Sequence, residues 1–438
     1  MRALLVLGLV VFGESVACSG TTTDANPSND GGVTTSDGAV TDGGLHTDAS
    51  ADASTSDAST GYAAQHYPLP IFKNFGGPVI ADMKITTVTF VGDADRDAKR
   101  TFDDSIVKSA WWTAVTRGYG IHAGTSGGYV ELPDTVSNKT LDNDTQLVPF
   151  IQSLVASSTL PKPDTNTLYA FYFPHSTTLS LLGWTSCQQF GAYHDYAAFN
   201  VNGANVYGAF AIMPDCGYGY AGVTSHELIE AATDPYPFTT KTPPTPFTWY
   251  LYNDAWAGVA GGGEVADVCA SQKAAKEGND FVARSWVNAA AAASEDPCQP
   301  AVPGKIYFAA SVETEIVTGL HDTNGGGPDY DSDGFIVMTR GQTRNVNVIA
   351  FSEKPLPHDL TLVVGARPQG NATDPAMLDP IAGGVTSTLS TTKGNNGTHL
   401  TLAITTAANV TPGDYLFVVR AILETSDYHS WPVVLRVQ

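Results

Sequence analysis

The chain has 438 residues and carries 22 Lys and Arg against 44 Asp and Glu, a formal charge of −22. That balance excludes nucleic acid and anionic lipid as charge-driven partners. A charged fraction of 15%, with 43 Gly and 18 Tyr, fits an exported, loop-rich protein.

Residues 1–17 read as a signal peptide. Arg2 is the positive start, residues 3–12 are nearly all apolar, and Ser15-Val16-Ala17 offers the small residues that a signal peptidase needs. The apolar run falls short of the ~20 residues of a permanent span. Cys18 follows directly, as in a bacterial lipobox, although Ser15 stands where Leu is usual. The expectation is a cell-envelope lipoprotein on the outer membrane or cell surface, held only by lipid on Cys18; plain secretion after the same cleavage is the alternative. Residues 18–62 are almost entirely Ser, Thr, Asp, Gly and Ala, a composition that cannot offset its ordering entropy and reads as a disordered acidic tether.

Four further cysteines are an even number in an exported chain, and two disulfides are expected. Cys187–Cys216 and Cys269–Cys298 are preferred, because each closes a short loop flanking a candidate motif.

Two folded units follow, over 63–302 and 303–438. In the first, residues 84–91 (KITTVTFV) read as a strand and 95–117 as one amphipathic helix. A helix over 145–154 takes Asp144 or Thr145 as its cap. Residues 167–173 (TLYAFYF) read as a buried strand, and 196–213 as a hairpin turning at Asn202-Gly203. A helix capped by Thr224 or Ser225 carries SHELIEAATDP and stops at Pro235. After residue 302, short alternating strands are expected over 305–309, 345–351, 361–364, 399–404, 415–419 and 433–437, the pattern of an immunoglobulin-like sandwich.

The chemistry concentrates in residues 225–235. On a helix, His226 and Glu230 are four apart and share a face, so both reach one cation. Glu227 beside them can take a proton from water. The arrangement is that of the HExxH zinc-peptidase helix with Glu in place of the second His. The third ligand is expected downstream in GEVAD, with Asp267 preferred to Glu264; Asp234, ~12 Å along a straight helix from His226, requires a bend. A His-Glu-Asp set is neutral around Zn2+ and acidifies water less than His2Glu; its oxygens also admit Ca2+ or manganese. His194 is a second candidate, as an oxyanion stabiliser or substitute ligand, against a loop histidine bonded to Asp195. Residues 329–334 (DYDSDG) resemble the start of a calcium loop, but Arg340 occupies the twelfth position, and a solvated acidic turn is the favoured reading.

Phe75-Gly76-Gly77-Pro78-Val79, the following strand, the 96–107 helix with Ala110-Trp111-Trp112, Thr233-Asp234-Pro235 and the Glu264 to Cys269 segment together resemble the plant Exordium, or phosphate-induced, proteins over roughly residues 73–300. The plant pattern lacks the His-Glu pair of His226 and Glu227. Bacterial chains that carry it resemble zinc-dependent peptidases. The resemblance implies an extracellular location.

These readings converge on an α+β zincin-like metallohydrolase domain followed by an all-β immunoglobulin-like sandwich. The expected activity is a monomeric, exported zinc metallopeptidase acting on peptide or protein. The alternative is a non-catalytic surface protein that binds polysaccharide or another cell, with Trp184, Trp249 and Trp256 as stacking platforms.

Overall fold

The computed structural model describes residues 62–237, 247–321, 329–368 and 374–438. The signal segment, Cys18 and nearly all of the tether lie outside them. No helix among the described residues is long and apolar enough to cross a membrane.

The first unit is built on a five-stranded sheet of β1 (Lys84–Phe90), β2 (Thr125–Leu132), β3 (Thr167–Phe173), β4 (Tyr193–Val201) and β5 (Ala204–Pro214), in the order β2-β1-β3-β5-β4. All neighbours are parallel except β4, which pairs antiparallel with β5 and forms an edge. β3 is buried at every position because helices cover both faces. Leu168, Ala170 and Tyr172 point to one core, Tyr169, Phe171 and Phe173 to another. The β4–β5 hairpin turns at Asn202 (φ 55°) and Gly203 (φ 85°), the left-handed pair that matches strand twist.

The helix expected over 95–117 is two helices, α1 (Arg96–Ile106) and α2 (Ala110–Val115). Ser109 is extended, and its hydroxyl accepts from the Trp112 amide, so it caps a new helix and ends the old one. Likewise, the segment expected at 145–154 opens as a π-helical turn over Asn143–Leu147, capped by Asp142, before α3 (Val148–Ala156). α4 (Tyr220–Thr233) begins earlier than expected: Gly219 stands at the N-cap, five residues before Thr224, and Thr224 and Ser225 lie inside the helix. Ser225 instead holds the Ala283 amide. A short α5 (Asp254–Ala260) ends on Gly261, left-handed at φ 88°.

The second unit has two sheets that close on a common core. One contains β6 (Phe308–Val312), β9 (Thr343–Ser352), β11 (Val385–Leu389) and β13 (His399–Thr406), in the order β6-β9-β13-β11. The other contains β7 (Glu315–Leu320), β8 (Tyr330–Met338), β10 (Leu360–Gly365), β12 (Lys393–Gly394), β14 (Gly413–Glu424) and β15 (Asp427–Val437), in the order β7-β8-β15-β14-β10-β12. The strand expected at 305–309 starts at Phe308, after a turn at Gly304. β8 replaces the expected acidic turn: Asp331 accepts the Gly319 amide, and Asp333 accepts Thr314 Oγ1 and the Gly334 amide. These side chains are spent on local bonds, not on a calcium loop.

The units share one continuous apolar core. Trp256 of α5 packs edge-on against Trp286 of the first unit and Trp431 of β15. His66 stacks on Phe351 of β9. Trp249 packs on Tyr119, and Trp184 lies against the second core of the first unit. The three indoles considered as sugar platforms thus each pack against the core and remain partly exposed.

Candidate metal centre

α4 is buried almost all round, and His226, Glu227 and Glu230 are buried with it. Three ionisable groups on such a helix are costly unless something of opposite charge meets them. Among the described residues, ion-pair contacts with them come from two other elements. β4 brings His194. The turn after α5 brings Glu264 and, in a 3-10 turn over Asp267–Cys269, Asp267.

Three features hold that turn in place. The Asp267 amide donates to Glu230 Oε1 at 3.0 Å, so the turn's backbone is tied to the helix. Cys269 is bridged to Cys298. Gly262 leaves the space that Asp267 fills: a Cβ there would lie 1.6 Å from Asp267 Oδ2. The expected pair Cys187–Cys216 is also formed, joining the chain before β4 to the chain after β5.

His226 Nε2 lies 3.1 Å from Glu230 Oε1 and 3.5 Å from Asp267 Oδ1, but neither contact has hydrogen-bond geometry. His194 Nδ1 lies 3.3 Å from Glu227 Oε2, and its Nε2 3.3 Å from Glu264 Oε1 and 3.0 Å from the Asp234 carbonyl oxygen. His226 Nε2, Glu227 Oε1, Asp234 Oδ2, Glu264 Oε1 and Asp267 Oδ1 are all buried without a hydrogen-bond partner. Orphaned acceptors converging in this way fit a cation that satisfies them together. The spacing agrees. With bonds of about 2.0–2.1 Å and tetrahedral angles, two ligands of one zinc lie about 3.3 Å apart. The residues present therefore fit a metal ion.

The electrostatics have the same sense. Burial and then repulsion from Glu230 and Asp267 push the Glu264 carboxyl well above its usual range. Asp267 rises to about 6, through burial and then the Glu230 charge, partly offset by His226. Asp234 rises to about 7 by burial, opposed by the Thr248 amide. Burial works against charge on His226, but Glu230, Asp267 and Glu227 outweigh it and raise the imidazole well above its ordinary value. His194 is raised in the same way, with Glu227 as its main partner. The pocket concentrates negative charge and draws in whatever positive charge is available.

Every candidate residue reaches this cluster, but not in every expected role. His194 sits on a strand, not in a loop, and meets Glu227 and Glu264. Asp234 enters through backbone and side chain: its carbonyl faces His194 Nε2, its Oδ1 accepts the Thr248 amide, and its Oδ2 is buried without a hydrogen-bond partner. Asp267 and Glu264, weighed as alternatives, are both present. Their three-residue spacing is the sequence signal that both can point inward.

No family model matches the chain, and no curated protein matches it. Among solved structures, domains 4 and 5 of the S-layer protein SbsC match with 11% identity and a TM-score of 0.16, over 29% of this chain and 53% of that one. The periplasmic chaperone SfaE matches with 13% identity and a TM-score of 0.17, over 28% and 56%. The chain thus spans about half the length of each. At these scores neither match carries an argument.

Proposed function

We propose that the chain is an exported, zinc-dependent hydrolase of peptide bonds, with a zincin-like α+β unit ahead of an immunoglobulin-like sandwich. The observation that carries this reading is the convergence of His226 Nε2 on Glu230 Oε1 and Asp267 Oδ1, at 3.1 and 3.5 Å, beside a Glu227 oxygen with no partner. Imidazole in the ligand set favours Zn2+ over Ca2+, which takes oxygen ligands. Bound there, zinc supplies Lewis acidity for a substrate carbonyl and for attacking water.

The chain's own residues do the rest. Glu227 Oε1 accepts the proton that water loses, while His194 Nδ1 at Oε2 fixes the carboxylate's orientation. β4 is last in the sheet order and carries His194 into the cluster; its first five residues are buried, and Gln152 Nε2 donates to the Ala198 carbonyl on it. Two disulfides fit life outside the cytoplasm. We assign the anchor to lipid on Cys18.

One observation favours a second reading, a structural metal in a surface-binding protein. The side chains of His226, Glu230 and Asp267 are at most 2% exposed. Metal analysis of the purified chain, with peptidase assays of wild type and Glu227→Gln, separates the two. The proposal expects stoichiometric zinc in both proteins and a loss of ~10²–10⁴-fold in hydrolysis for the variant. Bound zinc with no hydrolysis by wild type would establish the structural role. Absence of zinc would remove the site.

A further inference from the structure

We infer that the cluster is a dinuclear centre in which Glu230 bridges two divalent cations, one held by His226, Glu230 and Asp267 and the other by His194, Glu230 and Glu264. This deepens the proposed zinc site and rests on it.

The geometry carries the inference. Two separate sets of three ligand atoms, each set within 4.8 Å of one another, are present among the described residues, and Glu230 belongs to both. The second set repeats the spacing of the first. His194 Nε2 and Glu264 Oε1 are 3.3 Å apart, the separation expected of two ligands on one zinc. Glu264 Oε1 is buried without a hydrogen-bond partner, as Asp267 Oδ1 is in the first set. A site for one ion explains the orphaned atoms of His226 and Asp267. It leaves that of Glu264 unexplained.

Charge points the same way. Glu227, Glu230, Asp234, Glu264 and Asp267 are buried together and bring five formal negative charges to a region that no Lys or Arg enters among the described ion pairs. One divalent cation leaves three of those charges uncompensated in a low-dielectric setting; two cations leave one. The ligand set of each ion contains one imidazole and a carboxylate of its own, plus the shared Glu230; the sets differ in that His226 Nε2 has no hydrogen-bond partner, whereas His194 Nε2 faces the Asp234 carbonyl at 3.0 Å, a contact that the second ion must replace.

The test begins with the full chain, stripped with chelator, reloaded with Zn2+ and desalted. Native mass spectrometry and elemental analysis should give two zinc ions per chain. Glu264→Gln and His194→Gln should each retain one, and Asp267→Asn should also retain one, with wild-type circular dichroism as the check on folding. Loading wild type with Mn2+ should give an exchange-coupled electron paramagnetic resonance spectrum, because a shared carboxylate links the ions. That measurement needs no variant to fold. One zinc per chain in wild type, with an uncoupled six-line manganese spectrum, overturns the dinuclear centre and leaves the mononuclear proposal standing. No zinc at all overturns both.

Discussion

Gly262→Ala tests the site through a residue that ligates nothing. An added Cβ at position 262 would stand 1.6 Å from Asp267 Oδ2 and 2.3 Å from its Cγ. Contacts under 3.0 Å are not found for real Cβ atoms, so Oδ2 must withdraw by the difference, 1.4 Å. Metal–ligand distances tolerate about 0.2 Å. Nor can the whole turn retreat easily, because the Asp267 amide is bonded to Glu230 Oε1 and Cys269 is tied to Cys298. The carboxylate must therefore rotate away, taking with it the acceptor of the Glu264 amide. Zinc affinity at the His226 set should fall by at least ~100-fold, beyond the upper end of what loss of a supporting contact costs. Stability without metal should fall by about 1–3 kcal/mol, as for other overpacked sites. The assay is competition with a chromophoric chelator, together with denaturant unfolding of the metal-free chain. Gly383→Ala, where nothing lies within 4 Å of the added carbon, is the control and should match wild type. Wild-type zinc affinity in Gly262→Ala would show that Asp267 is not a ligand.

Asp103 is fully buried under the hydroxyls of Thr87 and Tyr172, and burial raises its carboxyl to about 7. The folded state then holds a proton that the unfolded state has released, so this group's contribution to stability falls as pH rises from ~4 to ~7, by up to about 4 kcal/mol. Unfolding by urea at pH 5 and 8 should show a smaller difference in Asp103→Asn than in wild type; an equal difference would contradict the assignment. His429 has the opposite sense. Burial first, then Arg284 and Lys305, lower it to about 4. The unfolded chain binds the extra proton, so stability is lost as pH falls from ~6.5 through ~4, by up to about 3 kcal/mol for a ring that retains some exposure. His429→Phe should flatten that acid limb in thermal melts. Replacing Cys269 and Cys298 together by Ala opens a loop with a sequence separation of 29 and should lower stability by roughly 3–4 kcal/mol in the chain-entropy treatment. Zinc affinity should weaken with it, because the Asp267 turn loses its tie; unchanged affinity would show that the Glu230 contact suffices.

The parts of this fold that were legible beforehand are those governed by local chemistry. The near-continuous apolar run TLYAFYF, the Asn202-Gly203 turn and the face shared by His226 and Glu230 follow from neighbours in sequence, and both disulfides close the short loops expected of them. What was missed depends on tertiary contact. Ser225 looks like a helix cap but is committed to Ala283. Residues 95–117 keep one apolar face, yet the helix breaks where the Val107 carbonyl accepts the Gly124 amide and the Trp111 amide donates to Glu277. The DYDSDG run is acidic enough for calcium, but pairing with β7 turns it into a strand. At the site, His194 comes from a strand 32 residues before His226, and only the sheet order places β4 beside α4. The choice between Glu264 and Asp267 was framed for a single ion, and a second set of ligands removes the need to choose.

The sandwich contributes to the site without touching it. α5 lies between the two units, with Trp256 against Trp431 and the Asp254 amide bonded to Ser332 of β8. Gly334 of β8 comes so close that an added Cβ would sit 2.8 Å from Ala255 and 3.0 Å from Asn253 Oδ1, the atom that caps α5. Leu416 of β14 packs on Gly258. Gly261 then ends α5, and Gly262 follows immediately beneath the Asp267 carboxylate. The position of that side chain is thus set at one end by the helix bearing His226 and Glu230 and at the other by a helix seated on the sandwich. Separation of the two units would expose the Trp256, Trp286 and Trp431 surfaces and release one anchor of the Asp267 turn. The first unit expressed alone should therefore be less soluble and should bind zinc more weakly than the full chain, even though every proposed ligand lies within it.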